Sequence, residues 1–307
     1  MQQQIKKKHH YIPKFHLNSW KDESGGLLLY RKDGCGNIEA KRKHPSQVCF
    51  ENDLYTLKKD LFEFYAHLPD FIENQLAKID DSAARIYAKV LSKTSFSDLT
   101  ELEKRSWAIY VNSLLQRTPD QLEAFESSMS SIVSNTLSDI KAAATPDTRR
   151  IWETCNDIFN NTNYCENKVR TLLLSFITDK KWISDILGFK WQLIAIDDAF
   201  PYRFILTENP VVTVGEDNNI GILALALTPN ILWVALPITF NESGELTDLI
   251  KYIVMFYNAA QVAKKPRFII SSTMLTNDGF HNYDKIFKDC VQLAVGMRRF
   301  NNQAVER

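Results

Sequence analysis

The chain has 307 residues, with 37 basic and 37 acidic side chains and a formal net charge of zero. No global field therefore draws it to nucleic acid or to an anionic membrane surface, and only local basic patches remain to argue from. Its five cysteines are odd in number, widely spaced and without a CxxC pair, which argues against a zinc ribbon or dithiol motif and fits free thiols in a reducing cytoplasm.

Met1-Gln2-Gln3-Gln4 lacks an apolar signal core, and no apolar run approaches the ~18 residues of a membrane helix. A cytoplasmic chain without membrane attachment is expected. The stretch His9-His10-Tyr11-Ile12-Pro13-Lys14-Phe15-His16-Leu17-Asn18-Ser19-Trp20 holds three of the six histidines. Pro13 holds Ile12 extended and suits the first position of a helix, so an extended arm is expected to turn helical there. Leu17 and Trp20 would then share a face as an anchor. In the arm, alternation separates His9 and Tyr11 from His10 and Ile12. Lys6-Lys7-Lys8 and Lys41-Arg42-Lys43-His44 are short basic patches that read first as solvated faces.

Leu27 to Arg31 and Ile38 to Lys41 read as a hairpin around the turn residues Asp33 to Asn37. Leu54 to Leu57 looks like a third strand. Glu51-Asn52-Asp53 before it is either a turn or a carboxylate within reach of the histidine arm. After Pro69-Asp70, Ile72, Leu76, Ile79, Ala83, Ile86 and Val90 recur at helical spacing. Glu73 and Asp80 lie two turns apart on one flank of that stripe, about 10 Å by helix rise, too far for one metal without partners from elsewhere. Thr100 and Glu103 form a capping box for a second helix, which Arg117-Thr118-Pro119 ends. Arg117 sits at the margin of that helix's apolar stripe, placed either to cap it or to hold an anion.

A third helix is expected over Leu122 to Ile140 and a break at 144–150. Asn156 to Asn163 reads as a loop or ragged helix end, and Val169 to Leu187 as a fourth helix. From Gly188 the pattern changes to strands at 190–196, 203–207, 211–214, 222–227 and 232–236. A helix from Leu249 to Lys265 and a strand at 268–272 follow, and the tail from Cys290 to Phe300 is ambiguous. Thr207-Glu208-Asn209-Pro210 stands at a strand end, where open sheets carry ligands, though an Asx turn before proline explains it equally well. The architecture expected is a single α+β domain. Residues 1–58 and 189–307 form a mixed or antiparallel sheet, and 59–188 a helical lobe.

These motifs carry a resemblance. HHYIPKFHLNSW (9–20), Glu51 to Tyr55, Ile72-Glu73, Arg117-Thr118-Pro119, Thr207 to Pro210 and Asn258 occur in the order seen in a mainly bacterial family, domain of unknown function 4238. The family pattern carries Asp where this chain has Glu208, one methylene longer. The resemblance implies only by association a defence or toxin role, because members look like accessory or mobile-element proteins. It converges with the residue reading on His9, His10, Arg117, Glu208 and Asn209 as a catalytic set. Lys14, Glu51 and Asn258 are expected on the substrate side. A histidine could move a proton, Arg117 grip a phosphate, and Glu208 bind a divalent metal or orient the histidine. The first expectation is thus a nuclease-like effector acting on nucleic acid, with RNA as one candidate substrate. The alternative is a binding or regulatory protein in which the same residues form a structural polar network. A protein partner or a homo-oligomer is left open.

Overall fold

The computed structural model describes residues 7–32, 38–60, 67–200, 202–214, 221–236 and 246–272, with backbone alone at 32 and over 246–251. The start of the chain with Lys6, the hairpin turn at 33–37, Cys35, Cys290 and the tail lie outside the described residues. In chain order the elements begin with β1 (Lys8–His10), α1 (Lys14–Asn18), β2 (Leu27–Lys32), β3 (Ile38–Lys43) and β4 (Phe50–Asn52). Helices α2 (Phe71–Lys93), α3 (Glu101–Gln116), α4 (Pro119–Ala143), α5 (Arg149–Phe159), α6 (Thr162–Ile177) and α7 (Lys180–Gly188) follow. The chain then gives β5 (Lys190–Ala195), β6 (Leu206–Thr207), β7 (Val211–Val214), β8 (Ile222–Thr228), β9 (Ile231–Leu236), α8 (Leu246–Ala263) and β10 (Ile269–Ile270). The fold class is α+β, as expected.

The chain divides into two units. The first comprises Met1–Tyr11, Phe50–Ala88 and Thr100–Ser184; the second comprises Ile12–Cys49, Lys89–Leu99 and Asp185–Arg307. In the first, β1 and β4 form an antiparallel pair. The helical stripe of α2 is buried at Ile72, Leu76, Ala83 and Ile86, each isoleucine or leucine contributing roughly 1.5–3 kcal/mol if fully removed from water. Ile72 and Leu76 meet Leu122 of α4 and Val169, Leu173 and Ile177 of α6 in one core with Tyr55 and Leu57. The capping box holds: Thr100 accepts from Glu103 N at 3.2 Å, and the Glu103 carboxylate accepts from Thr100 N at 2.8 Å.

The second unit holds two four-stranded sheets, ordered β3-β2-β10-β6 and β5-β9-β8-β7. Every described pairing is antiparallel. The first of these sheets does join N-terminal to C-terminal strands. The expected single sheet is nonetheless three, because β1 and β4 satisfy each other while β5, β9, β8 and β7 are linked through their own hairpins. Pro13 starts α1 as expected, and Leu17 and Trp20 are buried.

Four expectations are corrected. The third strand is Phe50–Asn52 rather than 54–57, because Asp53 takes a left-handed φ of 57° and the chain turns there. Residues 149–159 are a helix, and the asparagine-rich stretch supplies a cap, Asn161 accepting from Tyr164 N at 2.9 Å. The expected fourth helix is two, broken where the Asp179 carboxylate takes Trp182 N at 3.0 Å to start α7. The strand read at 203–207 is regular only at Leu206–Thr207, since side chains of α8 occupy the backbone groups before it.

Candidate functional site

In the first unit the motif residues surround Arg117. Pairing of β1 with β4 sets His9 opposite Glu51 and His10 opposite Phe50. His9 is fully buried; its ring stacks on Tyr55 with centroids 5.5 Å apart, and its Nδ1 accepts Tyr55 N at 2.9 Å. A proton on Nδ1 would break that bond, so the tautomer with hydrogen on Nε2 is the one the site selects. The Tyr55 hydroxyl donates to the Arg117 carbonyl at 2.6 Å.

Arg117 ends α3 and is fully buried. Its Nε donates to the Tyr11 carbonyl at 2.9 Å and its Nη1 to Asp80 Oδ1 at 2.8 Å, while Nη2 has no partner among the described residues. Thr118 and Pro119 start α4 immediately after it, as N-cap and first residue. The R-T-P motif is thus a helix–helix corner whose arginine side chain reaches back to hold the N-terminal arm by its backbone. Burial raises the Asp80 carboxyl above its ordinary range, with Arg117 pulling it back. Burial also works against the Arg117 charge, but Asp80, Tyr55 and Tyr110 outweigh it and hold the guanidinium protonated. His10 is half-buried, its ring 5.5 Å from Phe50.

Glu208, Asn209, Asn258 and Lys14 belong to the second unit. Glu208 is buried and accepts from Arg267 N at 2.9 Å and Arg267 Nε at 3.3 Å. Cys49 is buried with a φ of 53°; burial first, then the Glu208 charge, pushes its thiol well above the ordinary value. Asn209 N donates to Thr207 Oγ1 at 3.3 Å, and Thr207 Oγ1 in turn donates to Gln261 Oε1. Asn258 is fully buried and bridges two backbone groups, accepting Ile205 N at 3.0 Å and donating to Arg203 O at 2.7 Å. Lys14 is exposed on α1. The structure therefore brings His9 and Arg117 together in one cluster, links Asn209 through Thr207 to Gln261 of α8 in another, and holds Glu208 against Arg267.

Several partners escaped the sequence reading. Spacing alone says of Asp80 only that it needs partners from elsewhere, and the structure supplies Arg117. Asn167 of α6 accepts Lys58 N at 2.8 Å and donates to Lys58 O at 2.7 Å, while Arg170 Nε donates to Leu54 O at 3.2 Å. From α8, Tyr257 Oη and Gln261 Nε2 both donate to the Pro210 carbonyl, at 3.0 and 2.9 Å, and Lys264 Nζ, just past its end, donates to Val211 O at 2.9 Å. The available signal was Tyr257, Asn258, Gln261 and Lys264, polar residues at helical spacing on an otherwise apolar helix. His16, third of the N-terminal histidines, is buried with Nε2 2.9 Å from the Ala226 carbonyl oxygen.

Among the described residues, no group of three or more His, Cys, Asp or Glu side chains is arranged to hold a metal. No described helix is long and apolar enough to cross a membrane. The model of the family "Protein of unknown function (DUF4238)" matches residues 8–241, more than half of the chain. The chain belongs to the DUF4238 family. No curated protein and no solved structure matches it. The match spans both DUF4238 clusters just described, except that Asn258, Gln261 and Arg267 lie beyond its end.

The burial of these clusters has a consequence in alkali. Burial raises the phenols of Tyr55, Tyr110 and Tyr257 far above their ordinary values. Unfolded, each ionises near pH 10. Above that pH the unfolded chain has lost protons that the folded chain keeps, so stability present below about pH 10 falls as pH rises, by up to roughly 1.4 kcal/mol per tyrosine per pH unit. In an absorbance titration, at least these three of the eleven tyrosines are expected to ionise only together with the loss of circular dichroism. Smooth ionisation of all eleven near pH 10 in a folded chain contradicts this.

Proposed function

We propose that this DUF4238 protein is a non-enzymatic binding or regulatory protein, in which His9, Arg117, Glu208, Asn209 and Asn258 belong to structural polar networks. The observation that carries the reading is Arg117. It has no exposed surface, and two of its three nitrogens are committed to Tyr11 O and Asp80. With no exposed surface, a guanidinium held this way meets a substrate phosphate only if the residues packed over it move aside. His9 supports the same reading, since the nitrogen that would take a proton is already accepting Tyr55 N. Asn258 Oδ1 and Glu208 Oε1 likewise each accept a backbone N–H.

A second reading keeps one specific observation. Arg117 Nη2 is buried and has no partner among the described residues, beside a carboxyl that burial holds above its ordinary range. An arginine with a spare donor next to a carboxyl raised by burial is compatible with phosphodiester hydrolysis, and the nuclease, defence or toxin role belongs with this reading.

Purified protein incubated with RNA, single-stranded DNA and duplex DNA, with magnesium, manganese or EDTA, separates the two. The structural reading expects no turnover above that of Arg117→Lys. Cleavage by the wild type that is lost in His9→Gln, at a melting temperature within a few degrees of wild type, would falsify it in favour of the nuclease.

A further inference from the structure

The β5-β9-β8-β7 sheet does not close against α8 along its whole face. Pairing sets one row across its four strands, Val212–Ala224–Val234–Gln192. Members of such a row stand side by side on one face, roughly 5 Å apart. Three of them, with Tyr252, Phe256 and Tyr257 of α8 opposite, wall a cavity of about 270 Å³ within the second unit. Ala224 makes the room: on an inner strand it offers a methyl where Val212 and Val234 beside it offer isopropyl groups.

No charged side chain is among the described residues that wall the cavity, so an ion or a sugar entering it would lose its hydration without replacement. Tyr257 contributes only its ring, because its hydroxyl is engaged with Pro210 O, Ala226 N and Gln261 Nε2. Tyr252, 64% exposed, stands at the mouth. The row ends in one polar group. Gln192 rises beside Val234 from the edge strand β5, and its Oε1 is buried with no partner among the described residues. A buried amide oxygen left in this state is costly, and a donor brought in from outside would satisfy it.

We propose that this cavity is a small-molecule site for a neutral, flat, two-ring aromatic compound whose single hydrogen-bond donor meets Gln192 Oε1. Size sets the first part: an apolar cavity of ~150 Å³ takes one benzene ring, and this one is nearly twice as large. The walls set the second, since aliphatic side chains of the sheet face three aromatic rings of α8, against which a flat ligand packs offset or edge-on. In an apolar pocket a lone polar group fixes orientation. Here it is an acceptor, so the ligand carries the donor. The inference does not rest on the polar networks around Arg117 or Asn258, and its failure leaves that reading standing.

Titration calorimetry of the full-length chain with indole tests it, beside benzothiophene, which has the same two-ring shape and no N–H. Expected is one indole per chain with a Kd of roughly 50–500 µM, the range for about nine heavy atoms in an apolar site. Gln192→Leu weakens indole relative to benzothiophene by roughly three- to tenfold, as the loss of one hydrogen bond does. Ala224→Phe fills the cavity and abolishes binding of both. Circular dichroism verifies that each variant is folded, and Ile253→Trp, on the half-buried α8 wall, replaces Ala224→Phe if that variant is not. A wild type that binds neither compound overturns the proposal. So does binding that the cavity-filling variant leaves intact, since the ligand then sits elsewhere. An indole-to-benzothiophene ratio equal in wild type and Gln192→Leu overturns it as well, because the amide is then not what recognises the donor.

Discussion

Replacing Arg117 with alanine is expected to lower stability by about 3–5 kcal/mol, the usual cost of removing one partner from a buried ion pair. Three things go at once. Asp80, already raised by burial, loses the cation that keeps it ionised. The Tyr11 carbonyl loses its donor, and a side chain with no exposed surface leaves a void. Arg117→Lys should cost less, because lysine keeps a positive charge for Asp80 but cannot also fork back to Tyr11. Asp80→Asn in the alanine background should recover part of the loss, since no lone carboxylate then has to be buried. Urea denaturation of wild type, both single variants and the double variant gives the coupling directly. Arg117→Ala within 1 kcal/mol of wild type would mean that the buried pair carries no stability and that the arginine is kept for another purpose.

The sequence made the scaffold more legible than the contacts. The stripe of α2, the Thr100–Glu103 box and the start of α1 at Pro13 are local: spacing and capping chemistry within a few residues decide them. The misreadings arose where a distant partner decides instead. Leu54 to Leu57 has strand composition and buries Tyr55 and Leu57, but pairing with the histidine arm places the strand at Phe50–Asn52 and a left-handed Asp53 ends it. Residues 156–163 carry four asparagines, a loop composition in isolation; Asn161 instead caps α6. The motif residues were visible because they are polar in apolar settings. Their roles were not, because a fully buried arginine and an anion-binding one are the same letter. What separates them is the carbonyl of Tyr11, 106 positions away.

Asn258→Leu tests the second cluster by the same logic with no charge involved. Leucine keeps the branching of asparagine but is larger, so some overpacking adds to the loss. The two polar contacts are both lost. Ile205 N–H is buried and has Asn258 Oδ1 as its acceptor, and Arg203 C=O takes Nδ2. A buried backbone group left without a partner costs about 1–3 kcal/mol, so a loss of roughly 2–5 kcal/mol is expected. Native-state hydrogen exchange should place the damage at the Ile205 amide, whose protection falls with the stability of this unit. Asn258→Asp sharpens the test through its pH dependence. An ionised carboxylate still accepts Ile205 N–H but sets an oxygen against Arg203 C=O, whereas the protonated acid can donate to it. Burial and that carbonyl both favour the neutral acid, so the variant's folded-state pKa lies above its unfolded value. The sign follows: the variant is most stable below the unfolded pKa near 4 and weakens as pH rises through the folded one. A variant equally stable at pH 5 and pH 8, or an unaltered Asn258→Leu, would mean that water rather than the asparagine satisfies these groups, and the claim that α8 clamps the strand ahead of Thr207 would fall.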